Sequence, residues 1–400
     1  MKVLFISPVG FIGGAEKVLL QLIRGLRSEH EVTVLLMADG ELRRQIEASD
    51  VAVRVLPLSP GLERLGDAHG GSKLMSALRL GDPRAIFRGL SYVRAMRSEI
   101  AQLKPDVIHT NGIKAHLLAA IARPAGPELV WHVHDYLGRR TRSLRLLRLL
   151  AGRADLAIGV SRSVVDDLKH ALPALPRALV PNSVDAEYFC PGLASQAVLD
   201  ELAGLPTPFE PVVRIGLVAT YAQWKGHGLF LDAMAKLVNS GRRQVRGYIV
   251  GGAIYQTRES QVTAAELYEQ IADRSLSQFV GLVPFQSDTL PVYRSLDVVV
   301  HASTLPEPFG LTVTEAMACG KAVVVADQGG AAEIVRHELD GLHYEMGNAG
   351  LLADALHQLV DDSTLRERLS LAAVKSARER YSPDKSIESL LSAYESLGIG

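Results

Sequence analysis

Two cysteines in 400 residues, Cys190 and Cys319, leave no disulfide framework and point to a reducing compartment. No uninterrupted apolar run approaches the roughly eighteen residues of a membrane span. The opening MKVLFISPVG has one lysine and a short apolar run closed by Pro8. That run is too short for the apolar region of a signal peptide, so it reads as a first strand and a cytoplasmic location is expected. Neither sign of charge dominates, the net charge being −1. The first glycine-rich loop lacks the GxGxxG spacing of a dinucleotide site. No Asp-x-Asp step stands at a strand end, so no metal or other cofactor is expected. Internal repeats and low-complexity tracts are absent too.

What is present fits a soluble globular chain with two full cores, at 48% hydrophobic and 22% charged residues. The charge is unevenly divided. Residues 1–190 hold 26 lysines and arginines against 19 acids, and residues 191–400 hold 17 against 25. A basic partner surface is therefore expected on the first half alone.

The most informative stretch is 306–333, PEPFGLTVTEAMACGKAVVVADQGGAAE. Residues 311–319 read as a helix without a breaker before Gly320, and the β-branched run 322–325 as a buried strand. Glu307 and Gly310 then lie in a loop feeding a helix N-terminus. The N–H groups of Phe309, Gly310, Leu311 and Thr312 have no partners within that helix and suit an anion such as a diphosphate. Glu315 falls about one turn in, on the first exposed face, where a carboxylate can take two ribose hydroxyls. Glu307 is placed to meet what hangs beyond the phosphates.

Along the first half, strand 3–7, a loop through Gly13 and Gly14, and helix 15–26 make a strand–loop–helix unit. Strands follow at 31–37 and 51–56. Residues 66–90 read as a basic, glycine-rich loop with short helices, and 92–103 as a helix. His109 and Asn111 end a strand, where parallel sheets bind ligands; for Asn111, capping of the next helix is the favoured reading. In strand 128–135, His132 and His134 share a face. His132 reads as a satisfied structural group, and no third ligand is spaced for zinc. Residues 137–153 carry Arg139, Arg140, Arg142, Arg145, Arg148 and Arg153 on a leucine-rich amphipathic helix. It suits anionic lipid, a diphosphate-linked lipid acceptor, or simply solvent; aromatics do not interleave for nucleic acid. Strand 154–161 is read as the last of the first domain.

The second half repeats the strand–helix alternation from a proline-rich linker at 206–211 onward. Strands are expected at 214–220, 247–251, 279–283, 297–301 and 341–345, with helices between them and a last helix at 383–397.

Glu307, Pro308, Phe309, Gly310 and Leu311, then Glu315, Ala316, Met317, Ala318 and Gly320, with Gly329, Gly330 and Glu333 beyond, resemble the E-x7-E signature of retaining glycosyltransferases of the GT-B fold. The likeness is to the large bacterial group called family 4, and it extends over nearly the whole chain. Gly13-Gly14-Ala15-Glu16 is similar to the family's GG-x-E loop over the donor pyrophosphate, and His134-Asp135 to its H-D step. Residues 181–185 match its P-N-G-V-D junction, with Ser183 for Gly. Lys225 matches the phosphate-binding lysine of G-R-x4-K-G, but Thr220 stands where the arginine belongs. A hydroxyl cannot grip phosphate as a guanidinium does, so one charge of leaving-group stabilisation is missing. Arg242 and Arg243 are candidates to replace it.

The resemblance implies two Rossmann-like α/β/α domains facing across a cleft, at 1–185 and 206–380, with 381–400 crossing back to the first. It implies transfer of a sugar, with retention and without metal, from a nucleotide sugar (UDP favoured over GDP) to a glycan or lipid-linked acceptor. The setting would be cell-surface polysaccharide or glycolipid synthesis, in the cytoplasm or at the inner membrane face. Lys225 would hold phosphate, Glu307 orient the sugar, His134 contact it, Glu315 fix the ribose, and the backbone at Val283 meet the base. Arg139, Arg140, Arg142 and Arg145 would serve acceptor or membrane. An epimerase on the same fold lacks support. A catalytically weak binding or scaffold protein is the alternative that Thr220 motivates.

Overall fold

The computed structural model describes residues 1–58, 83–253 and 261–399, without the side chains of 83–86. The chain forms two compact units, one of Met1–Ser183 with Pro383–Gly400 and one of Val184–Ser382.

In the first unit, strands β1 (Lys2–Ser7), β2 (Glu31–Leu36), β3 (Ala52–Val55), β4 (Val107–Asn111), β5 (Glu128–Val133), β6 (Leu156–Gly159) and β7 (Arg177–Leu179) form one sheet. Their order is β3-β2-β1-β4-β5-β6-β7, and every pairing is parallel. The second unit has β8 (Val213–Val218), β9 (Val245–Gly251), β10 (Val280–Pro284), β11 (Val298–His301), β12 (Ala322–Ala326) and β13 (Leu342–Tyr344). These are again all parallel, in the order β10-β9-β8-β11-β12-β13. Helices between strands cover such sheets on both faces, which is why β4 and β12 are buried along their whole length; β12 reads as an unbroken apolar run, whereas β4 turns polar from His109 to Asn111. In each unit the strand order reverses at one place, between β1 and β4 and between β8 and β11. Open sheets of this kind bind ligands beyond the carboxyl ends of the strands at that reversal.

The chain returns to the first unit through helix Pro383–Glu395. Its closest partner is helix Gly14–Leu26, where a Cβ on Gly25 would lie 2.5 Å from Ile387, so glycine is what permits the contact. The Ser386 hydroxyl donates to the Pro181 carbonyl at 3.0 Å, and Tyr394 is wholly buried.

Three sequence expectations are revised. Strand 154–161 is not the last of its sheet, because the short β7 pairs with β6; three half-buried residues carry too little periodicity to be read. The helix expected at 92–103 begins at Pro83, and the rest of the expected 66–90 loop lies outside the described residues. Helix Gln196–Leu202 was not anticipated; it is fastened from its buried Asp200, which pairs with Arg214 of β8 at 2.7 Å.

Candidate functional site

In the second unit the reversal point lies between the loop after β8 and the loop after β11. The first loop ends at Gly226, whose φ is 75° and whose added Cβ would lie 1.8 Å from the carbonyl oxygen of Ala302. Only glycine adopts that conformation freely and lets the two loops touch. The Thr304 N–H donates to the Trp224 carbonyl at 2.8 Å, which completes the seam. Lys225 is thereby held over the Trp224 ring, 4.2 Å from its centroid, with its ammonium 2.6 Å from Glu307 Oε1. Gly226→Ala is expected to cost about 1–3 kcal/mol and to displace Lys225. A thermal midpoint equal to that of the native chain would show that the seam is not pinned there.

Glu307 gathers more than Lys225. His301 Nε2 donates to Glu307 Oε2 at 2.6 Å, and the Ser303 hydroxyl donates to the same oxygen at 3.1 Å. Burial alone would raise the carboxyl's pKa, but Lys225 and His301 outweigh it and hold Glu307 well below the usual carboxylate range. It is a fixed anion. His301 and Ser303 were not identified from sequence. Their signal lay in the strand end just before the motif, in side chains four and six positions before Glu307.

The glycines at 329 and 330 explain how that loop keeps its shape. Gly329 bridges Glu307 in parallel-strand fashion, and the Gly330 N–H donates to the Glu307 carbonyl at 2.7 Å. A Cβ on Gly330 would lie 2.1 Å from the Pro308 carbonyl oxygen. Backbone therefore packs on backbone. Gly310, at φ 117°, turns the chain into helix Leu311–Ala318. Phe309 is buried against the Tyr381 ring, while Leu311 and Thr312 are half-buried at the helix start. The amides of this first turn are a ready anion site.

Glu315 departs from expectation. It is not on an exposed face: it is 6% exposed, and the Tyr293 hydroxyl donates to its Oε2 at 2.8 Å. The apolar neighbours that make 311–318 a buried helix also enclose its acid. Arg242 and Arg243 do not replace the missing arginine. They precede β9, whereas Thr220 follows β8, and parallel strands put those positions at opposite edges of the sheet. Arg242 is instead bound to Asp361. Val283 is fully buried on β10, an edge strand, so its side chain is unavailable and only its backbone can face a ligand.

In the first unit, Gly13 and Gly14 open helix Gly14–Leu26, and the half of GG-x-E that carries charge turns inward. Glu16 is buried and accepts from the Gly13 N–H at 3.1 Å, capping its own helix. His134 follows the end of β5, and burial lowers its pKa to about 4, so it is neutral at physiological pH. Asn111 does not cap the following helix, whose N-cap is Gly112. Its Nδ2 is buried without a partner among the described residues, as is His132 Nε2, so His132 is not the satisfied structural group that was expected.

The arginine-rich segment is a helix, Thr141–Leu150, flanked by 3₁₀ turns. Its leucines at 144 and 147 point into the unit and are spent on the core, whereas Leu149 is 80% exposed. Arg140 is paired with Asp135, and Arg139 lies 4.9 Å over the Tyr136 ring. Arg148 and Arg153 donate to backbone carbonyls. Arg142 and Arg145 remain on the exposed face. No helix among the described residues is long and apolar enough to cross a membrane.

Two family models cover most of the chain, Glycosyltransferase Family 4 at residues 12–188 and Glycosyl transferases group 1 at residues 209–376. The chain belongs to the family 4 glycosyltransferases. Its fold is that of the GT-B enzymes. The chain superposes on HepE of Anabaena, solved with UDP, at TM-score 0.80 and 26% identity, covering 99% of this chain and all of that one. A second HepE structure, solved with UDP-glucose, gives TM-score 0.77 at 26% identity over 100% and 99% of the two chains. Sucrose-phosphate synthase of Thermosynechococcus elongatus shares the fold at TM-score 0.76 and 20% identity, over 99% of each. In sequence, D-inositol 3-phosphate glycosyltransferase of Corynebacterium jeikeium is 29% identical over 72% of this chain and 66% of its own. Sulfoquinovosyl transferase of Arabidopsis thaliana is 30% identical over 71% and 55%. The chain thus spans less than two thirds of the length of these curated relatives.

Proposed function

We propose that this glycosyltransferase moves a sugar from a nucleotide sugar, a UDP-sugar in preference to a GDP-sugar, to a hydroxyl of a glycan or lipid-linked acceptor, with retention and without a metal. The observation that carries the reading is the Lys225–Glu307–His301 cluster set beside the open amides of residues 309–312. The UDP and UDP-glucose complexes of HepE support the choice of donor.

On this reading the leaving diphosphate receives the helix N-terminus and Lys225. Glu307, already ionised and held by three donors, accepts from sugar hydroxyls and orients the ring. Glu315 meets the ribose, and His134 contacts the transferred sugar. The acceptor oxygen bonds to the anomeric carbon on the face that the diphosphate leaves, and its proton passes to the departing phosphate oxygen. Arg142 and Arg145 offer charge to an anionic acceptor or lipid surface, in keeping with work on cell-surface glycans at the inner membrane face. Thr220, with Arg242 and Arg243 at the far edge of the sheet, favours one second reading: a nucleotide-sugar-binding protein of weak turnover.

The test is a thermal-shift series with UDP- and GDP-sugars on the native chain and on Glu315→Gln. Glutamine can still accept from Tyr293, so folding is spared while the ribose-binding charge is lost. One nucleotide sugar is expected to raise the midpoint, as ligand at 100 times its Kd adds about 2.7 kcal/mol. The rise should shrink by more than half in Glu315→Gln. Absence of any rise would sink the donor reading; a rise without product when acceptors are supplied would favour the binding protein.

A further inference from the structure

The carboxyl edge of the first sheet holds a row of polar groups that the reading above uses only at His134. Ile6 pairs with Thr110, and Asn111 with His132, so Ser7, Asn111 and His132 stand side by side on β1, β4 and β5. Alternation along the strands puts His109 and His134 on the same face. Ser7, Asn111 and His132 are each at least 97% buried, at 0%, 3% and 1% exposure. Ser7 Oγ, Asn111 Nδ2, His132 Nε2 and His134 Nε2 have no hydrogen-bond partner among the described residues. Four orphaned polar atoms at one sheet edge are costly unless a ligand satisfies them, since each carries the desolvation cost of an unmade bond.

Behind the row runs a chain of hydrogen bonds. Tyr394 Oη lies 2.7 Å from His109 Nδ1, and His109 Nε2 lies 3.0 Å from His132 Nδ1. The His132 ring in turn lies 4.2 Å from that of His134. Burial lowers the pKa of both His109 and His132 far below the ordinary value, so each ring carries one N–H, and it raises that of Tyr394, which keeps its proton. Two polarities are open to such a chain. If His109 donated to Tyr394, the buried hydroxyl proton would be orphaned and His132 Nε2 would be a bare acceptor. If Tyr394 donates, His109 passes an Nε2–H to His132 Nδ1, and the one unmet group is an Nε2–H on His132. The second polarity leaves fewer buried groups unmet.

We propose that Ser7, Asn111, His132 and His134 form a sugar-hydroxyl subsite, and that Tyr394, on the helix returning from the far end of the chain, is its positioning residue by fixing His132 as an Nε2–H donor. The proposal rests on the glycosyltransferase reading for the identity of the ligand as a sugar; the chain of tautomers stands without it. Neutral N–H donors and a hydroxyl suit the oxygens of an uncharged polyol, whether it is the transferred sugar or the acceptor.

The experiment is long-range ¹H–¹⁵N spectroscopy on full-length protein labelled in histidine, which separates protonated from bare ring nitrogens. His109 and His132 are expected as Nε2–H tautomers in the native chain. In Tyr394→Phe the His109 Nδ1 loses its donor, and both rings should show mixed or inverted tautomers. Ser386→Ala, which removes a different bond of the same helix, should leave them unchanged. A native His132 protonated at Nδ1, or a Tyr394→Phe spectrum like that of the native chain, overturns the chain. UDP-glucose is then compared with UDP, and with UDP plus free glucose. A shift of His132 Nε2 with UDP-glucose beyond that with UDP identifies the transferred sugar; a shift only on adding glucose identifies a separately bound one. Bound UDP-glucose with no such shift in either arm overturns the subsite. A protein that binds neither UDP nor UDP-glucose fails the functional reading and takes the ligand half of the proposal with it, while the tautomers still decide the chain. In turnover, Tyr394→Phe is expected to raise KM for the sugar about tenfold with less than a threefold change in kcat.

Discussion

Acidification from pH 6.5 to about 4.5 is expected to unfold the unit of Met1–Ser183 and Pro383–Gly400 before that of Val184–Ser382. The cause is a cluster of neutral buried histidines. Burial lowers His109 to about 3 and His134 to about 4, and puts His116 and His132 well below the ordinary value of 6.5. An unfolded chain binds a proton at each as the pH drops through about 6.5, whereas the native chain does not until about 4. In that window the unfolded state holds more protons, so stability falls with falling pH. Each histidine contributes up to about 1.4 kcal/mol per pH unit, and four together up to about 5.5 kcal/mol per pH unit. Domains commonly have only about 5–15 kcal/mol in total. In the second unit, His227 is lowered to about 4 and His343 is lowered as well, so fewer such groups act there.

The chain carries its own reporters for this comparison, since its two tryptophans fall one in each unit. Trp131 is fully buried and stacks on His116 with ring centroids 5.5 Å apart. In a Trp224→Phe background, urea titrations followed by Trp131 emission should show a midpoint that falls steeply between pH 6.5 and 4.5. A midpoint flat across that range would mean that the native cluster takes up protons, which its burial and its tautomer chain both oppose.

Loss of Lys225 is the second large effect. Lys225→Met leaves the Glu307 carboxylate, 15% exposed in its side chain, without its ammonium partner, while His301 and Ser303 still donate to it. Breaking one side of an enclosed ion pair costs roughly 3–5 kcal/mol, because the remaining charge stays desolvated. The pH dependence follows from the sign of the shift. Glu307 sits below its unfolded value, so its contribution is present above about pH 4.3 and is lost as the pH falls. Without Lys225 the carboxyl rises towards the ordinary range or above it, and that part of the acid sensitivity should disappear. Emission of Trp224, which loses the ammonium over its ring, reports the change directly. On the donor reading, turnover should also fall by about 10²–10³-fold, the scale of removing one positioned charge from a leaving group. A double-mutant cycle with Glu307→Gln should return a coupling of at least about 2 kcal/mol. Additive losses would show that the two groups act apart.

The family and the fold were legible because they rest on local pattern. Apolar runs such as those of β11 and β12, and the glycines at 226, 310, 329 and 330, are required wherever a parallel strand is buried on both faces or a backbone touches a backbone. Short or half-exposed elements were not legible: β7 and helix Gln196–Leu202 have three and seven residues and owe their form to the sheet they complete. The spacing of Glu307 and Glu315 follows from the motif, but their surroundings do not. Whether an acid one turn into a helix faces water or Tyr293 depends on what packs over that helix, which periodicity does not carry.

Sequence by itself determined the alternation of strand and helix, the position of the motif at a helix start, and the unequal division of charge. Only the tertiary structure decided that His301 and Ser303 share Glu307 with Lys225. It alone showed that no arginine from 242–243 reaches the position of Thr220, and that Leu144 and Leu147 of Thr141–Leu150 belong to the core. It also joined Tyr394 to His109 across 285 positions of sequence. Hydrogen bonds between distant segments depend on distance in space, and the strand order that sets those distances is fixed by helix packing over the whole sheet.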